Sequence, residues 1–264
     1  VVPHGHIDLT KPSAGRIQDF LLGGTHNFEI DRLMAKRLKK TVPMMMDNVF
    51  AQRAVLGRAT AYFVRELGLK QIMDFGSSLP TCNNTHQVAH AIDPSVRVIY
   101  SDVDPLTVRY SREILVDVAN VHYLWCDAAQ PETLLQSEEV KEFFGDDHRV
   151  GIVFTLLAHF MESADLTHAA RTLYEWAAPG SHMIICTLGG PEWHSDPMLL
   201  EILEQNKNAG IELVLRDLDE LLSLFAPWEV TEHGVSNDYD WGLPPGQPHS
   251  SRPPRAWSVM LHKK

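Results

Sequence analysis

Three aspartates carry the first chemical signal in the sequence. Asp74 closes the apolar stretch that begins at Gln71. Asp102 closes Arg97-Val-Ile-Tyr-Ser-Asp102, and Asp127 closes Val121-His-Tyr-Leu-Trp-Cys-Asp127. Short apolar runs of this kind read as buried strands, which would bring the three acids to one edge of a sheet. Solubility alone does not call for acids so placed. Gly76, Ser77 and Ser78 follow the first run and lead into a helical pattern, the strand, tight turn and helix start of a βαβ unit. Gly76 lets a ligand approach the backbone, and the serines offer hydroxyls beside it. A dinucleotide-binding turn would read G-x-G-x-x-G, whereas this one reads G-S-S-L-P-T. Asp74 suits a ligand with an ammonium group, Asp102 can accept from both hydroxyls of a ribose, and Asp127 can meet an adenine amino group. Together they point to S-adenosylmethionine, with Val103 and Ala128 as their neighbours at the strand tips.

A fourth run, Arg149-Val-Gly-Ile-Val-Phe-Thr-Leu-Leu157, is nearly continuous in apolar residues, as expected at the centre of a parallel sheet. Leu156 near its tip joins the expected cofactor wall. The crest that follows is Ala158-His159-Phe160-Met161-Glu162. In such sheets ligands sit beyond the carboxyl ends of the strands, so His159 and Glu162 are the catalytic candidates and Phe160 a substrate wall. His159 is the best-placed base, since imidazole titrates near neutral pH, and Glu162 can orient it or hold a substrate amine. A fifth strand, Ser181 to Leu188, leads to a loop whose Trp193 and His194 are further substrate-wall candidates. The last two strands, Trp228 to Thr231 and Ala256 to His262, pair as an antiparallel hairpin. Residues 232–255 between them form a long connection with Tyr239 and Trp241. Long irregular connections are usually functional or disordered, and the two aromatic residues favour function, so this loop is expected to line the substrate site with Tyr239 and Trp241 in its wall.

The elements ahead of the sheet form three helices. The first runs through Arg16, Ile17, Phe20 and Leu21 and breaks at Gly23-Gly24; the second opens at Asn27 and reaches about Thr41. The third starts at Pro43 and ends at Gly68, with its methionines as core filler. The glycine break allows one helix to fold over a ligand at the strand tips. Residues 1–69 are therefore expected to be a helical lid and residues 70–264 the cofactor-binding core. Phe20, Gly24, Asn27 and Arg53 are expected on the cofactor, and His26 on the substrate.

At this point a resemblance becomes specific. The segment from Arg16 to Arg32, with its LLGG-x-x-NF-x-x-DR pattern, resembles the opening signature of an actinomycete family of S-adenosylmethionine-dependent methyltransferases once filed as a domain of unknown function. Asp74 to Thr81 and Asn84 to Ala89 match its D-I-G-[TS]-G-L-P-T and N-x-H-[EQ]-V-A patterns. Ser101-Asp-Val-Asp-Pro105 and Ala177-Ala-Pro-Gly-Ser181 match two more. The resemblance runs nearly end to end. It implies a Rossmann-like class I methyltransferase: an α/β fold with a seven-stranded, mostly parallel sheet, its last strand antiparallel, and an N-terminal helical lid. It also implies methylation of a small molecule, a secondary metabolite, for which the aromatic candidates suggest an indole- or phenol-like acceptor. One position departs from the pattern. Ser78 stands where the family usually has glycine, and a Cβ there is expected to crowd the methionine part of the cofactor.

Composition narrows the alternatives. A net charge of −11 lacks the basic footprint that nucleic acid requires. No apolar run is long enough to span a bilayer, and no secretory signal is evident. The three cysteines lack metal-ligand spacing and suit a reducing cytoplasm. No metal site is expected, since His4 and His6 lie in a tail and no H-x-x-x-H pair finds a third ligand. A homodimer is compatible with the sequence. Two rival readings remain: a protein that binds S-adenosylmethionine or S-adenosylhomocysteine without turnover, and a nicotinamide-dependent oxidoreductase, which the missing glycines disfavour.

Overall fold

The apolar runs do form strands, and the chain order of those strands sets where a ligand can sit. The computed structural model describes residues 9–42, 45–237, 239–244, 246–248 and 255–264. The strands are β1 (Gln71–Phe75), β2 (Arg97–Asp102), β3 (Val121–Trp125), β4 (Gly151–Thr155), β5 (His182–Leu188), β6 (Glu229–Asn237) and β7 (Ala256–His262). They build one seven-stranded sheet in the order β3-β2-β1-β4-β5-β7-β6. Pairing is parallel from β3 across to β5, while β7 runs antiparallel to both β5 and β6. The architecture is Rossmann-like α/β, with the antiparallel strand expected from the sequence. β6 is longer than the expected Trp228–Thr231 and carries an irregularity between Val230 and Val235, which lets it follow β7 past the loop.

β1 and β4 are buried along nearly their whole length, which explains their almost unbroken apolar composition. The helices are α1 (Ala14–Leu21), α2 (Glu29–Thr41), α3 (Met45–Arg65), α4 (Thr85–Ile92), α5 (Pro105–Ile114), α6 (Glu132–Leu135), α7 (Glu138–Phe144), α8 (Ser163–Trp176), α9 (Pro197–Asn208) and α10 (Leu218–Leu224). Asp104 and Asp196 cap α5 and α9 by accepting the Leu106 and Met198 N–H groups, each with proline opening the helix. Glu162 occupies the N-cap position of α8, and Asp165 lies in its first turn. The start expected at Pro43 lies outside the described residues.

One core lies on each face of the sheet. One joins Phe75, Ile152 and Phe154 to α8 and α10; the other joins Ile72, Val98 and Val153 to Phe63 of α3. A third cluster places Ile17 and Leu21 of α1 with Met34 and Leu38 of α2, Val49 of α3 and Leu199 and Ile202 of α9. Burying four such aliphatic side chains contributes roughly 6–12 kcal/mol, so the N-terminal helices are packed onto the late helix α9 and not merely tethered to the sheet. No helix among the described residues is long and apolar enough to cross a membrane.

Candidate active site

The sheet order changes direction between β1 and β4, and crevices form beyond the carboxyl ends of strands at such points. A cavity of about 470 Å³ lies there. Its floor is made by the residues that follow β1 to β5, and its walls by α1, α3 and the end of α9. Asp74, Gly76, Ser77, Ser78, Asp102, Val103, Asp127, Ala128 and Leu156 all line it, as does Arg53.

Each of these groups is held by local structure. Gly76 has φ +60°, and a Cβ there would stand 2.8 Å from Leu157 Cδ1, so only glycine fits the turn unstrained. The Ser78 N–H and the Asp104 N–H donate to separate oxygens of Asp102 at 3.1 and 2.9 Å. Burial pushes the Asp102 carboxyl up to about 6, against the pull of these amides. Asp127 accepts from Ala129 N–H at 2.9 Å. Behind the turn, Tyr123 Oη donates to the Ser78 carbonyl and accepts from Ser77 Oγ. Leu156 adopts φ +55° at the crest of β4, a conformation costing a bulky residue about 1–2 kcal/mol.

Asp74 and Arg53 form the electrostatic end of the cavity. Asp74 accepts from Thr85 Oγ1 at 2.6 Å, and burial raises its carboxyl to about 7 despite that bond and the nearby Arg53. Arg53 is itself buried, with 7% exposure, and burial lowers its guanidinium from the ordinary value. Its Nε has no hydrogen-bond partner, and no hydrogen bond from the rest of the group occurs among the described residues. A buried cation without hydrogen-bond partners is costly; the charge of Asp74 offsets part of that cost, and the guanidinium is left able to meet an anion at the cavity wall.

Ser78 departs from the sequence expectation in where its side chain goes. The residue has φ +59°, and its hydroxyl donates to the Gly15 carbonyl of α1 at 3.1 Å. A Cβ on Gly15 would lie 2.7 Å from that Oγ. The serine thus fits against a glycine on the opposing helix and ties α1 to the turn.

The N-terminal signature is a docking clasp. Asp19 accepts from His26 N–H at 2.9 Å, Asn27 Nδ2 at 2.8 Å and Thr81 Oγ1 at 2.5 Å, joining α1 to the loop after β1. Asp31 accepts from Ser13 N–H, Phe28 N–H and Arg16 Nε, and Arg16 reaches Asp104 Oδ2 at 3.3 Å. Asn27 also binds the Gly24 carbonyl and receives Arg32. Phe20, Gly24 and Asn27, expected on the cofactor, therefore lie outside the cavity lining, and so does His26, which packs on Tyr110. α1 contributes Ile17, Gln18 and Leu21 to the cavity instead.

At the other end, His159 lines the cavity and is buried. The Leu188 N–H donates to His159 Nδ1 at 3.2 Å, and Thr187 Oγ1 lies 3.1 Å from the same atom. A backbone N–H can only donate, so Nδ1 accepts and the proton of the neutral ring sits on Nε2. Nε2 has no partner among the described residues. Burial, and then the charge of Arg216, pull the ring down to about 3. Arg216 also binds the Ala158 and Met161 carbonyls at 3.0 and 2.7 Å, fixing the turn that carries the histidine. His159 is thus a neutral hydrogen-bond donor at neutral pH, where the sequence suggested a base. Phe160 lines the cavity beside it with 40% exposure.

Five other expectations are placed elsewhere. Glu162 is exposed at the start of α8, and His194 is exposed in its loop. Trp193 is buried in the helical cluster and donates Nε1–H to the Arg255 carbonyl. The Tyr239 hydroxyl accepts from Gln52, and the Tyr239 and Trp241 carbonyls accept from Arg58, so this segment braces α3. None of the five lines the cavity. Gln18, Leu157, Asn206 and Ile211 line it without having been singled out in the sequence. Asn206 and Ile211 arrive there through packing of α9 on α2, for which the chain offers no local signal. Among the described residues no group of three or more His, Cys, Asp or Glu side chains could hold a metal.

A family model described as S-adenosyl methyltransferase matches residues 2–260. The chain belongs to that family. It is an S-adenosylmethionine-dependent methyltransferase, in keeping with strand tips that carry acids and lack the dinucleotide glycines. A protein from Thermobifida fusca YX, provisionally termed a methyltransferase, has a similar structure with a TM-score of 0.87 and 28% identity over 100% of this chain and 99% of its own. A DUF574 family protein from Streptomyces avermitilis MA-4680 gives 0.87 with 22% identity over 98% and 100%. Human N-acetylserotonin methyltransferase, in complex with S-adenosylmethionine, shares the fold at 0.52, with 13% identity over 89% of this chain and 57% of its own. No curated protein matches the sequence.

Proposed function

We propose that this methyltransferase modifies a small organic acceptor with an aromatic, indole- or phenol-like ring, such as a secondary metabolite, in the cavity at the tips of β1 to β5. The unpaired, buried Arg53 beside Asp74 is the observation that carries the assignment of the cofactor end. A methionine moiety offers a carboxylate for the guanidinium and an ammonium for Asp74, so one zwitterion would neutralise both groups where neither is solvated. Asp102 keeps lone pairs free on both oxygens for ribose hydroxyls, Asp127 at the tip of β3 offers an acceptor for an adenine amino group, and the Gly76 turn admits close approach. The residues present therefore fit the cofactor.

When bound, S-adenosylmethionine supplies an electrophilic methyl group, which leaves the protein mainly to align the acceptor and exclude water. Leu188 N–H and Thr187 fix the His159 ring, so its Nε2–H is presented to the acceptor as a donor. Phe160 gives the ring of the acceptor a flat apolar neighbour. Residues 1–69 act as a cap over the core of residues 70–264, with Ile17, Gln18 and Leu21 closing the cavity against solvent. Cap and core are tied through Asp19–Thr81, Arg16–Asp104 and Ser78–Gly15.

A methyl-transfer screen with labelled cofactor over indoles and phenols tests this reading, with calorimetry on S-adenosylhomocysteine alongside. Transfer to a ring-bearing acceptor, with saturable binding of S-adenosylhomocysteine, is the expected result. Binding without transfer to any small molecule, and transfer to a protein or nucleic acid instead, would contradict it.

A further inference from the structure

Among the described residues, the charged side chains that line the cavity are all at one end. Arg53, Asp74, Asp102, Asp104 and Asp127 come from α3 and from the tips of β1, β2 and β3. The remainder, over β4 and β5, is lined by Ile17, Leu21, Leu38, Leu188 and Ile211 with His159. No carboxylate, ammonium or guanidinium of the described residues lines that part. Its other amides are mostly engaged: Gln52 Nε2 donates to Tyr239 at 2.8 Å and Asn206 Nδ2 to the Ile202 carbonyl at 2.9 Å. His159 Nε2–H, the Gln18 amide and the Thr155 hydroxyl are among the polar groups there without a partner among the described residues, and His159 Nε2–H is the one that can only donate. Arg216, the nearest cation on the crest, has its guanidinium turned to the Ala158 and Met161 carbonyls and the Ser163 hydroxyl.

We propose that the acceptor end of this cavity selects an uncharged, largely apolar molecule that presents a lone pair to His159 Nε2–H, and rejects anions and cations of the same shape. This rests on the methyl-transfer reading, which puts the cofactor over β1 to β3, and within that reading it favours a phenol-like over an indole-like acceptor, because an indole N–H has no in-plane lone pair to offer. The physical ground is desolvation. With the uncharged product cofactor in place, an ion entering the apolar end would lose its hydration and meet no counter-charge from the described residues, a cost far above that of one neutral hydrogen bond. A neutral heteroatom loses little and gains the His159 donor, which otherwise stays unpaired.

The test is calorimetric, on the protein saturated with S-adenosylhomocysteine, using four probes that share one fused bicyclic ring: quinoline, naphthalene, 2-naphthoate and 2-naphthylmethylammonium. Quinoline should bind about fivefold more tightly than naphthalene, the worth of one neutral hydrogen bond. Both ions should bind about 100-fold more weakly than quinoline or not at all. In His159→Phe the advantage of quinoline over naphthalene should vanish while naphthalene still binds. An ion binding as well as quinoline, no preference for quinoline in the native protein, or no binding by any probe would each overturn the proposal. Should the variant fail to fold, the native comparison still decides. Failure of S-adenosylhomocysteine itself to bind would strike the cofactor placement, which is a separate result.

Discussion

His159 illustrates how far a residue type can mislead about its role. An imidazole at the crest of β4 suggests a base, yet the Leu188 N–H at 3.2 Å leaves the proton on Nε2, and burial holds the ring near a pKa of 3. At saturating cofactor, turnover should therefore show no step from this ring between pH 6 and 8. His159→Asn, which retains a donor, should lose about tenfold or less, the range of one neutral hydrogen bond, and not the 10²–10⁴-fold typical of a lost base. A steady-state pH profile of both proteins checks this, and a neutral-range limb that disappears in the variant would restore the base. The three strand-tip aspartates were legible because apolar runs and their terminal acids are adjacent in sequence. The partners of Asn27 and Gly24 were not, because a docking clasp and a ligand site draw on the same polar residue types. Only the position of Asp19 tells the two apart.

At the scale of elements, α1 meets the turn after β1 through two residues that suit each other's size, Gly15 and Ser78. Gly15→Ala would drive a methyl to 2.7 Å from Ser78 Oγ and should destabilise the protein by about 1–3 kcal/mol through overpacking. Adding Ser78→Gly removes the obstructing atom and relieves a left-handed φ of +59°, so the double variant should recover most of the loss. Urea unfolding of the single and double variants measures the coupling, and simple additivity would show that the helix and the turn are not in register. The strands and the first three helices could be read from periodicity and glycine breaks. The swing of Tyr239 and Trp241 onto α3 could not, since it depends on Arg58 donating to their carbonyls across the fold.

For the whole molecule, the cavity stores electrostatic cost that a cofactor can relieve. Asp74 and Asp102 have folded-state pKa values raised to about 7 and about 6. An acid so raised holds its proton when folded after the unfolded chain has released it, so stability of the ligand-free protein falls as pH rises through these values. Binding an ammonium and ribose hydroxyls favours the ionised carboxylates, so S-adenosylhomocysteine affinity should rise across the same window. Thermal melts from pH 5.5 to 8 should show the ligand-induced shift growing with pH; a shift that is level or shrinking would mean that neither acid meets the ligand.

Arg53 carries the central claim, that the cavity holds a zwitterion through this buried cation beside Asp74. Its most direct test is a calorimetric cycle with S-adenosylhomocysteine and 5′-methylthioadenosine, which lacks the amino-acid end, on the native protein and Arg53→Met. The native protein should prefer S-adenosylhomocysteine by at least about 10- to 100-fold, as expected for a charge-assisted contact. That preference should largely collapse in Arg53→Met, with methylthioadenosine affinity little changed. Equal preference in the two proteins would remove Arg53 from the site and with it this orientation of the cofactor.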